Sequence, residues 1–161
     1  MKRSALFLFA LLALPMTAAP EYPEMGPDIY DTQANGGEQI AAALKKAAPS
    51  KKHVLVVFGA NWCIWCRRLH ETFASSPKVA AALRADYEVV LVDVNTRHGE
   101  HRNSEVDRRY GTPTKEGLPV LVVLDSRGIQ LTTQETGVFE EGAAHSPHKI
   151  LGFLEAWKPK R

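Results

Sequence analysis

The only two cysteines of the 161-residue chain, Cys63 and Cys66, are separated by two residues. A dithiol at this spacing can exchange with a disulfide in two steps. One thiolate attacks, and the second thiol then resolves the mixed disulfide and releases the partner. Trp62 precedes the pair and Trp65 stands between its cysteines, and we expect both rings to flank the dithiol and limit the access of solvent to the sulfurs. We therefore expect the chemistry of the chain at this pair.

A strand and an amphipathic helix are predicted on either side of the pair. Residues 53–58 (H-V-L-V-V-F) are apolar and rich in β-branched side chains, which is typical of a strand buried on both faces. Residues 63–74 carry apolar side chains at helical spacing. This arrangement puts Cys63 in the first helical turn, where free N–H groups and the helix dipole favour a thiolate. Cys66 follows one turn later on the same face.

Other uses of the two thiols stay open from the residues alone. A structural disulfide across so short a loop contributes little, because the entropy that it removes from the unfolded chain grows with loop length. A metal site could combine both thiols with His70, but no second cysteine pair completes it, and His98 and His101 are expected in a solvated loop. Covalent haem attachment is excluded, because Arg67 and not a histidine follows Cys66.

The W-C-I-W-C motif at 62–66 and the G-L-P step at 117–119 resemble the thioredoxin superfamily, in the W-C-x-x-C form of its extracytoplasmic members. The resemblance covers residues 53–157. It implies a cis peptide bond before Pro119, which would lie against the dithiol. It also implies that the backbone of Leu118 pairs with a substrate chain as a strand would. The resemblance thus assigns Cys63 as the nucleophile and Cys66 as the resolving thiol of a thiol-disulfide oxidoreductase.

Two positions depart from the family pattern. Val57 stands where the family often has a buried acid, six residues before the first cysteine. Proton handling for the second thiol must then fall to water or to another group. Glu71 and Asp93 are candidates by sequence distance. We nevertheless expect Glu71 to be a solvated carboxylate and Asp93 to be a carboxylate at the end of its strand, without a role in proton transfer. Glu71 also stands where the family often has a proline that kinks the helix, so we expect a straighter helix.

The amino-terminal residues predict export. Residues 1–19 combine Lys2 and Arg3, an apolar stretch and a small-residue exit, which are the features of a secretory signal peptide. The apolar stretch is too short to span a bilayer comfortably. Pro20 would hinder cleavage after residue 19, so an uncleaved membrane tether is the alternative. We expect an irregular leader over residues 20–36 and a single thioredoxin-like domain over residues 37–161.

Charge and location limit the function classes. Residues 1–19 carry two of the 20 basic residues and none of the 18 acidic ones, so the mature chain is formally near neutral and gives no reason to expect nucleic-acid binding. An exported dithiol suits an oxidising compartment such as the bacterial periplasm. We expect a monomer without a cofactor or bound metal, and protein or peptide disulfides as substrates. The resemblance implies an external redox partner, often a membrane electron carrier.

Two further function classes are alternatives to the oxidoreductase. One is a metal-binding or metal-delivery module that uses the same two thiols. The other is a noncatalytic module that keeps the fold and holds a client in the groove beside Leu118 and Pro119. Bound copper or zinc would indicate the first, and client binding that survives loss of both cysteines would indicate the second.

The order of predicted elements fits a three-layer α/β/α sandwich around a central four-stranded mixed sheet, with the dithiol at the carboxyl end of its strand. A loop is predicted over residues 137–145, and His145 and His148 are expected at the surface. The last predicted helix starts at Pro147. Its expected inward residues are Ile150, Leu151, Leu154 and Trp157.

Overall fold

The computed structural model describes residues 19–160, and the predicted three-layer α/β/α sandwich is confirmed. The predicted signal peptide lies outside the described residues, apart from its last residue. The helices are α1 (Gly36–Ser50), α2 (Ile64–Ser75), α3 (Pro77–Asp86), α4 (Ser104–Arg109) and α5 (Pro147–Ala156). The strands are β1 (His53–Gly59), β2 (Tyr87–Asp93), β3 (Val120–Leu124), β4 (Gln130–Gln134), β5 (Glu140–Glu141) and β6 (Ala144–His145).

The central sheet has the strand order β2-β1-β3-β4. β2 runs parallel to β1, whereas β3 is antiparallel to both β1 and β4. β1 and β3 are the inner strands, and their apolar sequences suit burial on both faces. The connection from β1 to β2 passes through α2 and α3. It therefore places the dithiol at the carboxyl end of β1, where an α/β sheet usually holds its site.

Successive side chains of β1 pack into opposite helical layers. Val54, Val56 and Phe58 contact α1 and the Val106 side chain of α4. Leu55 and Val57 face the layer that is built from α2, α3 and α5. Val57 therefore fills a fully apolar core, which explains why an ionisable group would be costly there. Each side chain that is fully buried in these cores contributes roughly 1.5–3 kcal/mol.

The prediction for the inner face of the last helix is partly wrong. Ile150 and Leu154 are buried as expected, but Phe153 is also buried and Trp157 is 37% exposed. α5 ends at Ala156. Trp157 is the C-cap of this helix, and its backbone conformation is not helical. The ring of Trp157 therefore leaves the helical stripe that the spacing predicted.

The segment predicted as a loop over residues 137–145 contains the small hairpin of β5 and β6. Phe139 is buried, and its carbonyl accepts a 2.8 Å hydrogen bond from the N–H of Ser146. This closure turns His145 inward, where it is 3% exposed. The prediction of a surface His145 is therefore wrong, whereas His148 is exposed as expected.

The segment before α1 packs on the sandwich. It contains a short 3-10 helix at Pro23–Met25 and places Tyr30 at 2% exposure against the end of β1. Within residues 19–160, no helix is both long enough and apolar enough to cross a membrane.

Candidate active site

The two cysteines lie at the amino-terminal end of α2 and are joined by a disulfide. Cys63 is the N-cap residue and thus stands one position before the predicted first turn. Its Sγ accepts a 3.1 Å hydrogen bond from the backbone N–H of Cys66. Cys63 is 4% and Cys66 is 1% exposed. In the reduced protein the same N–H group and the helix dipole would stabilise a thiolate on Cys63.

The two tryptophans of the dithiol motif, Trp62 before the pair and Trp65 between its cysteines, make contacts with polar and charged side chains. The indole Nε1–H of Trp62 donates a 3.0 Å hydrogen bond to Oδ1 of Asn95. The guanidinium of Arg97 lies 4.3 Å from the ring centroid of Trp62, and that of Arg68 lies 4.5 Å from the Trp65 ring. Each stacked cation is attracted by the electron-rich face of its ring. Both tryptophans pack against the cluster that contains the two cysteines, and an arginine stacks on each ring.

His145 supports the residue between the cysteines, a role that sequence reasoning missed. Its Nε2 lies 2.9 Å from the carbonyl oxygen of Trp65, which can only accept, so the Nε2–H donates. The two rings meet edge to face with centroids 5.3 Å apart. Nδ1 is buried and has no hydrogen-bond partner within residues 19–160. Burial lowers the pKa of His145, and the bond to the Trp65 carbonyl opposes that shift. No local sequence signal marks this histidine.

The Leu118–Pro119 peptide bond is cis, as predicted. Leu118 packs against the cluster that contains both cysteines, and Pro119 is buried. A surface groove runs beside Leu118 and Trp62, and its other wall includes Thr96, His101 and Thr114. The structure thus brings together the predicted dithiol, its flanking tryptophans and the G-L-P step.

The two acids proposed for proton handling have different environments. Glu71 is exposed on α2, whereas Asp93 is fully buried at the end of β2. Nη1 of Arg102 donates a 2.8 Å hydrogen bond to Asp93, and Arg102 also pairs with Glu21 and Glu100. Burial raises the pKa of Asp93, and Arg102 only partly offsets the rise. The loop that holds Arg102 was predicted to be solvated, so this ion pair was missed.

The segment before α1 is bonded to the dithiol turn. Oδ1 of Asn61 accepts hydrogen bonds from the N–H groups of Ile29 and Tyr30 at 3.0 and 2.9 Å, and its Nδ2 donates to the Tyr30 carbonyl at 3.0 Å. The guanidinium of Arg67 donates hydrogen bonds to the carbonyls of Asn61 and Pro27 at 2.7 and 2.8 Å. These bonds hold Tyr30 in the cluster with Cys63 and Cys66.

Metal-ligating side chains do not gather around the sulfurs. In the described part of the chain, no three His, Cys, Asp or Glu side chains are grouped in a way that could hold a metal ion. His70, which the sequence offered as a third ligand, is exposed on α2.

Comparisons with known proteins agree with this geometry. A family model described as thioredoxin-like matches residues 35–126. The crystal structure of a disulphide isomerase from Xylella fastidiosa Temecula1 is 32% identical with a TM-score of 0.67, and the match covers 80% of this chain and 95% of that one.

Two curated relatives are more distant. The disulfide bond reductase DsbH of Chlamydia pneumoniae is 26% identical over 132 residues, which cover 75% of this chain and 77% of that protein. Nucleoredoxin of Mus musculus is 26% identical over 110 residues, which cover 57% of this chain. The chain spans only 25% of the length of nucleoredoxin.

Proposed function

The chain belongs to the thioredoxin-like family, and on that premise we propose that it is an exported thiol-disulfide oxidoreductase that acts on disulfides of protein or peptide substrates. We assign Cys63 as the nucleophile and Cys66 as the resolving thiol. The observation that carries this assignment is the position of Cys63 as N-cap of α2, with the N–H of Cys66 directed at its sulfur.

The exchange needs only the two thiols and a client disulfide. The Cys63 thiolate attacks one client sulfur, a Cys63–client disulfide forms, and the other client sulfur leaves with the electron pair. Cys66 then attacks Sγ of Cys63, the intramolecular disulfide forms, and the client leaves with both of its sulfurs reduced. Two electrons pass to the client and two protons end on its thiols. The reverse sequence oxidises a client, so no bound cofactor is required.

The groove beside Trp62 and Leu118 supports a binding site for an extended client segment. Leu118 is only partly buried, so we infer that its backbone can pair with a client strand next to the sulfurs. Trp62 would pack on the client from the other side. In this proposal, contacts with the main chain of the client provide affinity, and the groove residues select among client side chains.

Location and partners follow from the sequence features. We propose that residues 1–19 direct export and that the protein works as a monomer in the bacterial periplasm. An external redox partner must return the pair to its starting redox state after each exchange, and a membrane electron carrier fits that role. The disulfide reductase and disulphide isomerase names of the similar proteins support the exchange chemistry, and nothing in the near-neutral charge calls for nucleic acid.

Serine variants of the two cysteines test the assignment. We expect Cys63→Ser to reduce the catalysed reduction of a protein disulfide to the uncatalysed rate, because the attacking thiolate is lost. We expect Cys66→Ser to accumulate a stable mixed disulfide through Cys63, detected by mass spectrometry of the intact protein. Mixed disulfides on Cys66 in the Cys63→Ser variant, formed as fast as on Cys63, would contradict the assigned roles.

The reduction potential of the pair determines the direction of the exchange. It is measured by equilibrating the purified protein with glutathione or dithiothreitol buffers. A value near about −270 mV indicates a reductase, whereas a value near about −120 mV indicates a disulfide donor. Failure to form the disulfide reversibly at any buffer potential, together with copurified copper or zinc, would favour the metal-delivery alternative.

A further inference from the structure

The hydroxyl of Tyr30 and the sulfur of Cys66 lie beside the same backbone atom. A Cβ placed on Gly59 would overlap the Tyr30 hydroxyl and would stand 2.9 Å from Sγ of Cys66. Tyr30 is 2% exposed and belongs to the same buried cluster as the two cysteines. The missing side chain at Gly59 thus leaves room for the Tyr30 hydroxyl on the same side of the backbone as the sulfur of the resolving cysteine.

The position of this hydroxyl is fixed from two sides. Asn61 makes three hydrogen bonds to the backbone of Ile29 and Tyr30, and Arg67 bonds to the carbonyl of Pro27. Asn61 is itself fully buried in the turn that precedes the dithiol. Because this segment is already ordered in the folded chain, holding the ring beside the reacting sulfur costs little further conformational entropy during catalysis.

The hydroxyl of Tyr30 keeps its proton. Burial and, to a lesser degree, the charge of Asp93 raise the pKa of Tyr30 far above its ordinary value. Asp93 is the register partner of Gly59 in the parallel pair of β1 and β2, and Arg102 compensates its charge. A neutral tyrosine in this place can donate a hydrogen bond but cannot accept a proton as a base.

Cys66 needs such a donor in the resolving step. It is 1% exposed, and a buried thiol loses its proton reluctantly because the anion is poorly solvated. Val57 lies in the apolar core, and its side chain has no polar group that could solvate the sulfur. Glu71 is exposed on α2 and cannot replace the lost solvation from there. A hydrogen bond to an ionised acceptor is worth about twice a neutral one, so one well-placed hydroxyl has a measurable effect.

We propose that Tyr30 assists the second half of the exchange. Its hydroxyl donates a hydrogen bond to the Cys66 sulfur as that sulfur becomes anionic. This inference rests on the proposed function. The sulfur of Cys66 bonds to that of Cys63, and the bond from Cys63 to the client breaks with its electron pair on the client sulfur. The proton of the Cys66 thiol passes to that sulfur or to solvent, and Tyr30 keeps its own.

The test uses the reduced full chain and Ellman's reagent, which reports each half of the exchange. Attack by Cys63 releases one thionitrobenzoate, and attack by Cys66 on the mixed disulfide releases the second. We expect Tyr30→Phe to leave the first release unchanged, to slow the second about tenfold near neutral pH, and to move the pH midpoint of the second release upward. Tyr22→Phe, in the same segment but outside the dithiol cluster, should match the wild type in both releases.

Three results would overturn the proposal. A second release in Tyr30→Phe that equals the wild type would show that the hydroxyl has no part in the step. Equal slowing of both releases would show that the ring acts only through packing. A wild-type chain that never gives the second release would remove the proposed exchange itself, and this inference with it.

An unnatural side chain keeps the test valid if Tyr30→Phe disturbs folding. Replacing Tyr30 with 3-fluorotyrosine preserves the ring and makes the hydroxyl a stronger donor. We expect the second release to become faster in that protein while the first is unchanged. An unchanged second release would contradict the proposal.

Discussion

The imidazole of His145 shows how one buried group ties a distant hairpin to the dithiol. Its Nε2–H donates to the carbonyl of Trp65, and its ring packs edge to face on the indole. Arg68 and Glu140 are the charged groups whose fields act on it, and they oppose each other. Because burial dominates, His145 is neutral in the folded protein at a pH at which it would be charged in the unfolded chain.

Replacing His145 should change how stability depends on pH. The pKa of His145 is lowered by folding, so the unfolded chain binds the proton more readily and wild-type stability falls as pH drops from about 6.5 through the folded pKa. We expect His145→Gln, which cannot titrate, to cost about 1 kcal/mol near pH 7 and to lose less stability than the wild type toward pH 5. Urea unfolding at both pH values measures this.

The comparison with wild type isolates the histidine, because the carboxylates titrate in both proteins and their contributions cancel. His148→Gln is the matched control, since His148 is exposed three residues away and should keep the wild-type pH profile. Parallel profiles for His145→Gln and the wild type would show that His145 does not titrate differently in the two states.

The turn between β1 and α2 positions two parts of the site, the nucleophilic cysteine and a segment that lies about thirty residues earlier in the chain. It presents Cys63 as the N-cap of α2, and through Asn61 it binds the segment that carries Tyr30. Gly59, the last residue of β1, directly precedes this turn and leaves the space that the Tyr30 ring occupies. The helix and the preceding segment are therefore positioned by one short stretch of backbone.

Asn61→Ala should release that segment. The variant loses an acceptor for two N–H groups and a donor to one carbonyl, and all three bonds lie in or near the buried cluster. At about 1 kcal/mol for each net hydrogen bond, we expect the free energy of unfolding to fall by roughly 2–3 kcal/mol. We also expect faster hydrogen exchange at the amides of Ile29 and Tyr30.

Asn35→Ala is a suitable control for this variant. Asn35 caps α1 with a single side-chain bond to the N–H of Glu38, so its loss should cost about 1 kcal/mol without changing exchange at Tyr30. If hydrogen exchange at the amides of Ile29 and Tyr30 stayed as slow in Asn61→Ala as in the wild type, the Asn61 hydrogen bonds would not be what holds the segment.

At the scale of the whole molecule, the sheet separates two apolar cores, and a third cluster around the cysteines includes residues from before α1. Glu21 adds an ion pair to Arg102, which in turn reaches buried Asp93. The segment predicted as an irregular leader thus supplies side chains to the fold and to the site. We infer that the folding unit includes part of residues 20–36.

Two shortened chains test this inference. A chain that begins at Asp28 keeps Tyr30 but loses Glu21, and since partly exposed ion pairs are weak we expect a loss of about 1 kcal/mol or less. A chain that begins at Asp31 also loses the buried tyrosine, and we expect a loss of about 3 kcal/mol or more. Urea unfolding measures both, and alkylation of reduced Cys66 should be faster only in the shorter chain. Equal stability of the two chains would place Tyr30 outside the folding unit.

The sequence by itself determined the features that depend on near neighbours. The β-branched run of β1, the helical spacing of α2 and the W-C-x-W-C motif predicted where the cysteines lie, and the G-L-P step predicted the cis bond that the structure contains. The strand and the helix follow from local backbone preference and from apolar periodicity, which a short stretch of residues expresses fully. The cis bond was implied by the resemblance to the thioredoxin superfamily and not by its own neighbours.

Only the tertiary structure decided which distant groups meet at the dithiol. Tyr30 lies beside Cys66, and His145 bonds to the carbonyl of Trp65, through contacts between residues that are far apart in the chain. His145 was expected at the surface near the start of the last helix, because nothing local shows that a hairpin folds it inward. Burial and pairing of such groups are set by the packing of complete layers, so their roles became visible only once the sandwich was assembled.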